Sequence, residues 1–475
     1  MPIPEPLPLA SAPSAQRVCE PFGAFPAPDH FDAELAAFLA QSCEQLARWL
    51  GSAAFRTPLP ALSVLPDVEL KATGMAPEQL LADLQLVMDG AYNPNHPGAI
   101  AHLDPPPLAA SIAADLVCAG LNNNLLAEEL SPSLSHLERR LCSWLAEQLG
   151  LPAGSGGVAA SGGTLSNLTA LVTARRSAGL GICSDAVVLA SADAHVSLMK
   201  AMAVMGLPAE ALIAIPTAAD GAMDPEQLAF QLDRLRHSGT PVIAVVATAG
   251  TTVRGAVDPL HSIADLCRNH GVWLHVDGAI GAVFGLSDRH RHRVAGLERA
   301  DSITVNPQKL LGITKTSSLL LLAHPHCLHH AFATGLPYME PSWGGGHGGE
   351  CGLQGTRPGE VLKLWLGLRQ LGRSGVADVL DGAIQRRRNL EQLLACDGLE
   401  LRGGRLHLLA FTPTGLDQDQ AARWSQATRQ ALLAEGLMLS RPLYGGRHHL
   451  KAVLGNPHTQ PSHLQRLAEV VHASI

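Results

Sequence analysis

Two short apolar runs in the middle of the chain each end in a side chain that could do chemistry. Residues 272–276 are followed by Asp277, and residues 302–305 lead through Asn306 to Lys309. Each run has the length and composition of a strand buried in a parallel sheet. Ligands of open parallel sheets bind beyond the carboxyl ends of the strands. The pattern therefore predicts that a carboxylate and an amine meet at that edge.

An aspartate and a lysine at one site suit the cofactor pyridoxal 5'-phosphate (PLP). PLP needs a lysine that forms a Schiff base with its aldehyde and an aspartate that keeps its ring nitrogen protonated. Loops at strand ends are also rich in solvated charged residues. The pair alone therefore leaves open that Asp277 and Lys309 are ordinary surface side chains, and the surrounding sequence has to decide.

A glycine turn earlier in the chain has the geometry of a phosphate site. An apolar run at 157–160 leads into Gly163 and Thr164, and a helix is predicted from there to about residue 178. A strand, a glycine turn and a helix start present free backbone N–H groups and a hydroxyl to a phosphate. Many proteins use such a turn for other purposes, but its place ahead of Asp277 and Lys309 favours the phosphate end of one site.

Two further residues are candidates because of where they stand. His195 follows a predicted strand, where its ring could lie over a cofactor ring or simply cap a helix. Tyr338 lies in the glycine-rich loop 333–355, which is typical of a mobile lid. It could act as an acid or anchor the loop by packing.

The pattern around these residues predicts an α/β fold. Short apolar runs alternate with helical patterns, which favours a mainly parallel sheet with right-handed crossovers. Helical spacing predicts helices at 31–50 and 77–88, and residues 360–370 also read as a helix. The further strands are predicted at 186–190, 211–215, 242–247 and 318–322.

The C-terminal part differs, because short strands near residue 399 and at 406–411 stand beside helices predicted at 418–435 and 463–473. We therefore expect three parts. They are an N-terminal extension with helices at 1–95, a large cofactor-binding domain at 96–373 and a small α+β domain at 374–475.

Composition excludes several classes of function. A hydrophobic content of 47% with 16% charged residues suits a globular enzyme, and a net charge of −8 argues against nucleic acid or an anionic membrane as partner. No run reaches the roughly 18 apolar residues of a membrane span. The nine scattered cysteines and a proline-rich start without a secretory pattern predict a cytoplasmic protein, with residues 1–28 extended or poorly ordered. The histidine clusters near residues 290 and 326 read as solvated surface, so no metal site is expected.

Several motifs together make the chain resemble the group II PLP-dependent amino acid decarboxylases, a family of fold type I enzymes, from about residue 95 to 372. They are His96-Pro97, Ser131-Pro132, Ser161-Gly162-Gly163-Thr164, Ala194-His195, Gly250-Thr251-Thr252, His275-Val276-Asp277, Asn306-Pro307-Gln308-Lys309 and Leu362-Lys363-Leu364-Trp365.

The resemblance implies a homodimer and a role for individual residues. Lys309 would be the Schiff-base lysine, Asp277 the partner of the pyridine nitrogen, and Tyr338 the acid of the catalytic loop. His195 would stack on the cofactor ring, with Ala279 on its other face and Thr252 close to the ring. The phosphate would be held by Gly163, Thr164 and Asn306.

One position departs from the family pattern. Where most members have a histidine immediately before the lysine, this chain has Gln308, which can donate a hydrogen bond but cannot carry a proton at neutral pH. An acid role at that position is therefore not expected. A catalytically silent homologue is one alternative that this residue favours.

The implied reaction is α-decarboxylation of an L-amino acid to an amine and carbon dioxide. Members that take aromatic substrates have aromatic residues near the positions of His102 and Leu103, which here are an imidazole and an aliphatic side chain. We therefore expect a small polar or acidic substrate such as glutamate, aspartate or 2,4-diaminobutyrate. Another fold type I activity, that of an aldehyde synthase, aminotransferase or lyase, stays open.

Overall fold

The computed structural model describes residues 25–61, 65–182 and 185–475. Most of the segment 1–28 therefore lies outside the described residues, as do Cys19 and Cys183. The chain divides into two compact units, Met1–Asn93 and Pro94–Ile475. The domain boundary expected at residues 373 and 374 stays a prediction.

The first unit contains two helices, α1 (Ala33–Gly51) and α2 (Pro77–Asp89). The carboxylate of Asp32 accepts a hydrogen bond of 2.9 Å from the Leu35 N–H at the start of α1, which satisfies one of the free donors there. Pro77 is the first residue of α2, where its missing N–H has no cost. Both helices confirm the predictions from helical spacing.

A seven-stranded sheet forms the centre of the second unit, in the order β1-β7-β6-β5-β4-β2-β3. The strand β7 runs antiparallel to both of its neighbours, while the other pairings are parallel. A mainly parallel sheet is therefore confirmed. The strands are β1 (Gly156–Ala160), β2 (Val187–Ser191), β3 (Leu212–Ile215), β4 (Val242–Thr248), β5 (Trp273–Gly278), β6 (Ser302–Val305) and β7 (Ser318–Leu322).

Helices cover both faces of this sheet, and every residue of β2, β6 and β7 is buried. Burial on both faces explains why these strands read as continuous apolar runs. The helices of the unit up to the end of the sheet region are α3 (Ala109–Leu121), α4 (Pro132–Gln148), α5 (Gly163–Ser177), α6 (Ser197–Val204), α7 (Pro225–Ser238), α8 (Leu260–His270), α9 (His326–Phe332) and α10 (Val361–Leu394).

The helix predicted at 360–370 is the first part of α10, which is longer than predicted and continues to Leu394. Gly372 lies inside it with φ 63° and ψ −176°, so the chain kinks there and the helix resumes. A glycine reads as a helix end in sequence. Here it supplies a bend that only a residue without a Cβ takes easily.

The C-terminal region has its own antiparallel sheet, with strand β9 paired to β8 on one side and β12 on the other. Phe411 and Leu450 face each other across β9 and β12 in a separate hydrophobic core. The predicted strands and helices are present, although β9 begins two residues later than expected. The elements are β8 (Leu399–Gly403), β9 (Leu408–Pro413), α11 (Gln418–Ala434), β10 (Leu443–Tyr444), β11 (Arg447–His448), β12 (Leu450–Val453) and α12 (Pro461–His472).

The register of the main sheet aligns the carboxyl ends of three neighbouring strands. Thr248 at the end of β4 is level with Asp277 in β5, and Asp277 is level with Thr304 in β6. The residues that follow these strands therefore share one edge of the sheet, as the sequence predicted. Within the described ranges, no helix is both long and apolar enough to cross a membrane.

Candidate active site

A cavity of about 230 Å³ lies at the carboxyl ends of the parallel strands. Its lining includes every residue that the sequence predicted as a cofactor contact, namely Gly163, Thr164, His195, Thr252, Asp277, Ala279, Asn306, Gln308 and Lys309. Five further residues, which the sequence analysis did not assign as cofactor contacts, complete the lining. They are Asn167, Thr248, Gly250, Thr251 and Ile280.

Asp277 is buried at one side of this cavity with both carboxylate oxygens hydrogen-bonded. Its Oδ1 atom accepts from the Ala279 N–H at 3.2 Å, and its Oδ2 atom accepts from Asn167 Nδ2 at 2.8 Å. Donors to both oxygens fix the plane of the group. Asp277 thus faces the cavity in one defined orientation.

Lys309 follows β6 in a single 3-10 turn, Pro307–Lys309. Burial lowers the pKa of its amine, while the negative charges of Asp277 and Asp104 oppose that shift. A lysine with a lowered pKa spends more time as the neutral amine, which is the form that attacks an aldehyde. The Lys309 amine and the Asp277 carboxylate therefore line the same cavity. The amine can act as a nucleophile there, and the carboxylate can accept a hydrogen bond.

The helix α5 begins at the cavity with Gly163 and Thr164. The preceding Gly162 has φ +134°, a conformation that favours glycine, and it has no side chain with which to cap the helix. A Cβ atom at residue 163 would lie 2.9 Å from the terminal amide of Asn306, closer than an ordinary contact, so glycine fits best against that amide. An uncapped N-terminus of a 15-residue helix is a ready site for a phosphate.

Asn306 joins this end of the cavity to the neighbouring strand. The orientation of its amide that satisfies all neighbours donates from Nδ2 to Ser318 Oγ at 2.7 Å and accepts at Oδ1 from the Gly163 N–H at 3.3 Å. The hydrogen bonds hold the glycine turn against β7. They explain how residues far apart in sequence form one corner of the cavity.

His195 is half-buried, with Nδ1 accepting a hydrogen bond of 3.2 Å from the Ser197 N–H. Burial lowers its pKa, with the nearby Asp277 opposing and Lys309 adding to the shift. The ring is therefore neutral at physiological pH and held in one orientation. A neutral flat ring is suited to stack on an aromatic cofactor.

These features fit PLP. The cavity offers an amine, a carboxylate and a helix N-terminus to the aldehyde, ring nitrogen and phosphate of one small molecule. In addition, the buried Oγ1 atom of Thr248 lacks a hydrogen-bond partner anywhere in the described residues, although it lines the cavity. A buried hydroxyl facing a cavity is commonly satisfied by a ligand or water.

Gln308 lines the same cavity, but its side-chain oxygen is engaged elsewhere. Oε1 accepts a short hydrogen bond from the Ser317 N–H. The Nε2 group is the part that remains to donate into the cavity. Glutamine thus keeps the hydrogen-bonding ability expected at this position without an acid function.

Lys451, in β12, is a residue that the sequence analysis missed. Its Nζ atom donates to the carbonyl oxygen of Thr252 at 3.1 Å, which brings it beside the cavity. Burial and the nearby Lys309 lower its pKa to about 8. The only sequence signal was a single lysine in an otherwise apolar strand, and its partner lies 199 positions away.

Three predicted residues lie outside the cofactor cavity. The side chain of Tyr338 is 71% exposed in the loop 333–355. His102 is exposed near Lys451, and burial of part of its ring together with that lysine lowers its pKa. Leu103 packs on the main hydrophobic core. Any direct role of Tyr338 therefore requires the loop to move.

In the part of the chain that the structure describes, no three His, Cys, Asp or Glu side chains come together as a metal site. The histidines near residue 290 have another explanation. The prediction of a solvated surface is wrong for His290, which is buried because it pairs with Asp381 at 2.5 Å and so joins two segments of the chain.

Curated relatives support what the geometry indicates. The chain is 34% identical over 419 residues to the L-2,4-diaminobutyrate decarboxylase of Rhizobium meliloti (strain 1021), covering 86% of this chain and 83% of that protein. It is 32% identical over 361 residues to the human cysteine sulfinic acid decarboxylase, covering 72% of this chain and 71% of that protein.

Solved structures give the same result. The fold superposes on the crystal structure of mouse CSAD with a TM-score of 0.85, covering 93% of this chain and 98% of that one at 26% identity. The glutamate decarboxylase domain of a diaminobutyrate enzyme from Vibrio parahaemolyticus superposes with a TM-score of 0.80 over 93% of this chain and 95% of that one, also at 26% identity.

The family profile described as the pyridoxal-dependent decarboxylase conserved domain matches residues 62–400. That range contains the lysine, the aspartate and the glycine turn that line the cavity. The chain therefore belongs to the pyridoxal-dependent decarboxylase family and is a PLP-dependent carboxy-lyase that acts on an amino acid.

Proposed function

We propose that the protein catalyses the α-decarboxylation of a small polar or acidic L-amino acid to the amine and carbon dioxide. The candidates are glutamate, aspartate and 2,4-diaminobutyrate. The observation that carries the proposal is the cavity shared by Lys309 and Asp277, with the cationic Lys451 beside it. The first two residues account for the chemistry, and the third bears on the substrate.

Bound PLP supplies a sink for the electron pair that the departing carboxylate leaves behind. In the proposal Lys309 holds the cofactor covalently, and Asp277 keeps a proton on its ring nitrogen. The hydrogen bonds to both oxygens of Asp277 prevent its rotation away from the cavity. A fixed charge costs no reorganisation at the moment of reaction.

The remaining lining residues are assigned by position. The N-terminus of α5 with Gly163 and Thr164 would hold the phosphate together with Asn306. His195 would stack on one face of the ring, Ala279 would pack on the other, and Thr252 would lie at its edge. The Nε2 group of Gln308 would donate a hydrogen bond into the site.

We assign the final protonation of the α-carbon to Tyr338. This requires the loop 333–355 to carry the exposed phenol to the cavity, a motion that would also exclude water. The glycines of the loop permit such a change, since Gly344 and Gly346 have φ values of +106° and +79° and open space around their Cα atoms. Loop closure and proton donation would then be one event.

Lys451 favours an acidic substrate. An ammonium group beside the cavity would pair with a second carboxylate on the substrate and repel a cationic side chain. The charge of the nearby Lys451 helps to lower the pKa of His102. His102 would therefore contact the same end of the substrate. Leu103, which is partly buried, would support that wall.

2,4-Diaminobutyrate is the second candidate, because the relative with 34% identity is named for that substrate. A panel of L-amino acids assayed for release of carbon dioxide and amine decides between an acidic substrate and 2,4-diaminobutyrate. The proposal expects one acidic or diamino acid to exceed aromatic and aliphatic amino acids by at least about 100-fold in kcat/KM. Aldehyde or keto acid as main product, or absence of turnover with bound PLP, would overturn it.

We also propose that the enzyme is a cytoplasmic homodimer. Supporting this, an apolar groove of about 890 Å³ runs between α4 and α10, with Leu137, Trp144 and Trp365 in its wall. Apolar side chains grouped in a surface groove commonly mark a protein interface. Leu137→Glu should shift the sedimentation coefficient towards the monomer, while Val204→Glu, at an exposed site on α6, should not. A wild-type protein that sediments as a monomer would contradict the dimer.

A further inference from the structure

A continuous chain of hydrogen bonds runs behind the cavity and ends on Asp277. Trp273 Nε1 lies 2.9 Å from Ser302 Oγ, and Ser302 Oγ lies 2.9 Å from His275 Nδ1. His275 Nε2 is 3.1 Å from Asn167 Oδ1, and Asn167 Nδ2 donates to Asp277 Oδ2 at 2.8 Å. The three middle residues are almost completely buried.

The chemistry of its two ends fixes the direction of every bond in this chain. A carboxylate only accepts, so the amide of Asn167 turns Nδ2 towards Asp277 and Oδ1 towards His275. His275 Nε2 must then carry the ring proton. At the other end an indole N–H only donates, so Ser302 Oγ accepts from Trp273 and its own proton points to His275 Nδ1.

Two observations support this assignment. Burial lowers the pKa of His275 to about 4, so the ring is neutral and carries the single proton that the chain requires. Thr304 Oγ1 also donates to Asn167 Oδ1 at 2.7 Å, which holds the amide in the same orientation. Each donor along the chain therefore points towards Asp277, while the second N–H of Asn167 Nδ2 donates to Ser197 Oγ at 3.0 Å.

We propose that Trp273, Ser302 and His275 are positioning residues that act through Asn167 to keep Asp277 turned towards the cofactor ring nitrogen as a hydrogen-bond acceptor. This rests on the role proposed above for Asp277. Successive hydrogen bonds polarise one another in a buried environment, so the last donor is strengthened by those behind it. The chain would thus set how firmly the carboxylate holds a protonated ring.

The pairing of the two strands does not depend on this arrangement. His275 and Ser302 are already level in the register of β5 and β6, whose backbone hydrogen bonds join the strands. Burying five polar groups costs free energy that apolar side chains of similar size would avoid. A series of hydrogen bonds that all run in one direction and end at the cavity is better explained by its effect on Asp277.

The test uses Ser302→Ala, Ser302→Thr and Asn167→Asp. The first removes the hydroxyl, the second keeps it, and the third places a carboxylate beside Asp277. Thr173→Val is the control, since Thr173 is buried in α5 like Asn167 and its hydroxyl donates only to the Thr169 carbonyl at 2.7 Å. The readouts are the dissociation constant of PLP, titrated into apoenzyme, and the melting temperature of the apoenzyme.

We expect Ser302→Ala to weaken PLP binding about 10-fold, because the Trp273 N–H and His275 Nδ1 lose their shared partner and the chain is interrupted. Asn167→Asp should weaken binding by about 100-fold or more, because it removes the donor to Asp277 and places a like charge beside it. Ser302→Thr and Thr173→Val should retain wild-type affinity. Apoenzyme melting temperatures should change no more in Ser302→Ala than in Thr173→Val. Wild-type affinity in Ser302→Ala would overturn the inference, even if Asn167→Asp does not fold.

Asp277→Asn separates this inference from the proposed function. If Asp277→Asn binds PLP poorly and Ser302→Ala binds it normally, Asp277 holds the ring but the chain behind it is only structural. If Asp277→Asn also binds PLP normally, the role proposed for Asp277 fails, and the inference fails with it.

Discussion

The Nζ atom of Lys451, in the C-terminal sheet, donates a hydrogen bond of 3.1 Å to the carbonyl oxygen of Thr252, which lines the cavity of the main sheet. The contact brings a cation from the last 30 residues of the chain to the site that holds Lys309 and Asp277. It is the feature of the structure that bears most directly on the substrate.

Replacing Lys451 by methionine should raise KM for an acidic substrate about 10-fold to 100-fold with a smaller change in kcat, because a charge-assisted hydrogen bond to the substrate is lost. Lys451→Arg keeps the charge and should stay within a few-fold of wild type. Steady-state kinetics with glutamate and aspartate measure this. An unchanged or lower KM in Lys451→Met would indicate that the substrate carries no second carboxylate.

The pH dependence of KM offers an independent check. Since burial and Lys309 lower the pKa of Lys451 to about 8, its positive charge is present at pH 7 and is lost as the pH rises through 8. The KM for an acidic substrate should therefore rise between pH 7 and pH 9. Lys451→Arg remains charged over this range, so its profile should be flatter. Parallel profiles in the two enzymes would show that another group titrates.

Lys309 and Lys451 are both candidates for covalent attachment of the cofactor, and the structure favours Lys309. Borohydride reduction of the holoenzyme, followed by peptide mass spectrometry, should find the cofactor mass on the peptide that contains Lys309. Lys309→Ala should lose both this adduct and the visible absorbance, while the surface variant Lys71→Ala keeps them. An adduct on the Lys451 peptide would reassign the two lysines.

Much of this site was predictable because a parallel sheet brings its strand ends to one edge. Asp277, Lys309 and the turn at Gly163 each follow a short apolar run, so their meeting follows from topology. The spatial arrangement in the register of β4, β5 and β6 agrees with that rule. Local sequence patterns were sufficient to predict those candidate residues that directly follow an apolar run.

The residues that the sequence analysis missed have hydrogen-bond partners that are far away in the sequence. Asn167 lies inside α5, where a polar residue near a helix start looks ordinary, and its partner Asp277 is 110 positions away. His275 did carry a signal, since a histidine inside an apolar strand needs a buried partner. Lys451 could not be found locally, because only the packing of the C-terminal sheet brings it to Thr252.

Tyr338 is exposed in this structure, so its proposed role as the acid predicts a specific kinetic result. Tyr338→Phe should lower the rate of amine formation about 100-fold or more, as expected for loss of a positioned acid, and leave PLP binding unchanged. Leu353→Ala, at another exposed position of the same loop, should have little effect. An undiminished yield and rate of amine from Tyr338→Phe would show that the phenol only packs.

The loop that carries Tyr338 is held by a buried carboxylate outside it. Glu128 Oε2 accepts from the Trp343 N–H at 2.6 Å, and Oε1 accepts from Arg139 Nη2 at 2.7 Å. Burial tends to raise the pKa of Glu128, but these hydrogen bonds outweigh it and the pKa lies below its usual value. The carboxylate is therefore charged at neutral pH and holds the loop in the exposed position.

Replacing Glu128 by alanine should release this loop, because the Trp343 N–H and the Arg139 guanidinium lose their common acceptor. Limited proteolysis followed by mass spectrometry should show cleavage within residues 333–355 several-fold faster than in wild type, an effect of the size expected for about 1 kcal/mol of lost anchoring. Glu129→Ala is the matched control, since that neighbouring carboxylate is exposed. Equal cleavage rates in the two variants would mean that other contacts hold the loop, whereas faster cleavage with a changed kcat in Glu128→Ala alone would link the anchor to the closure that Tyr338 requires.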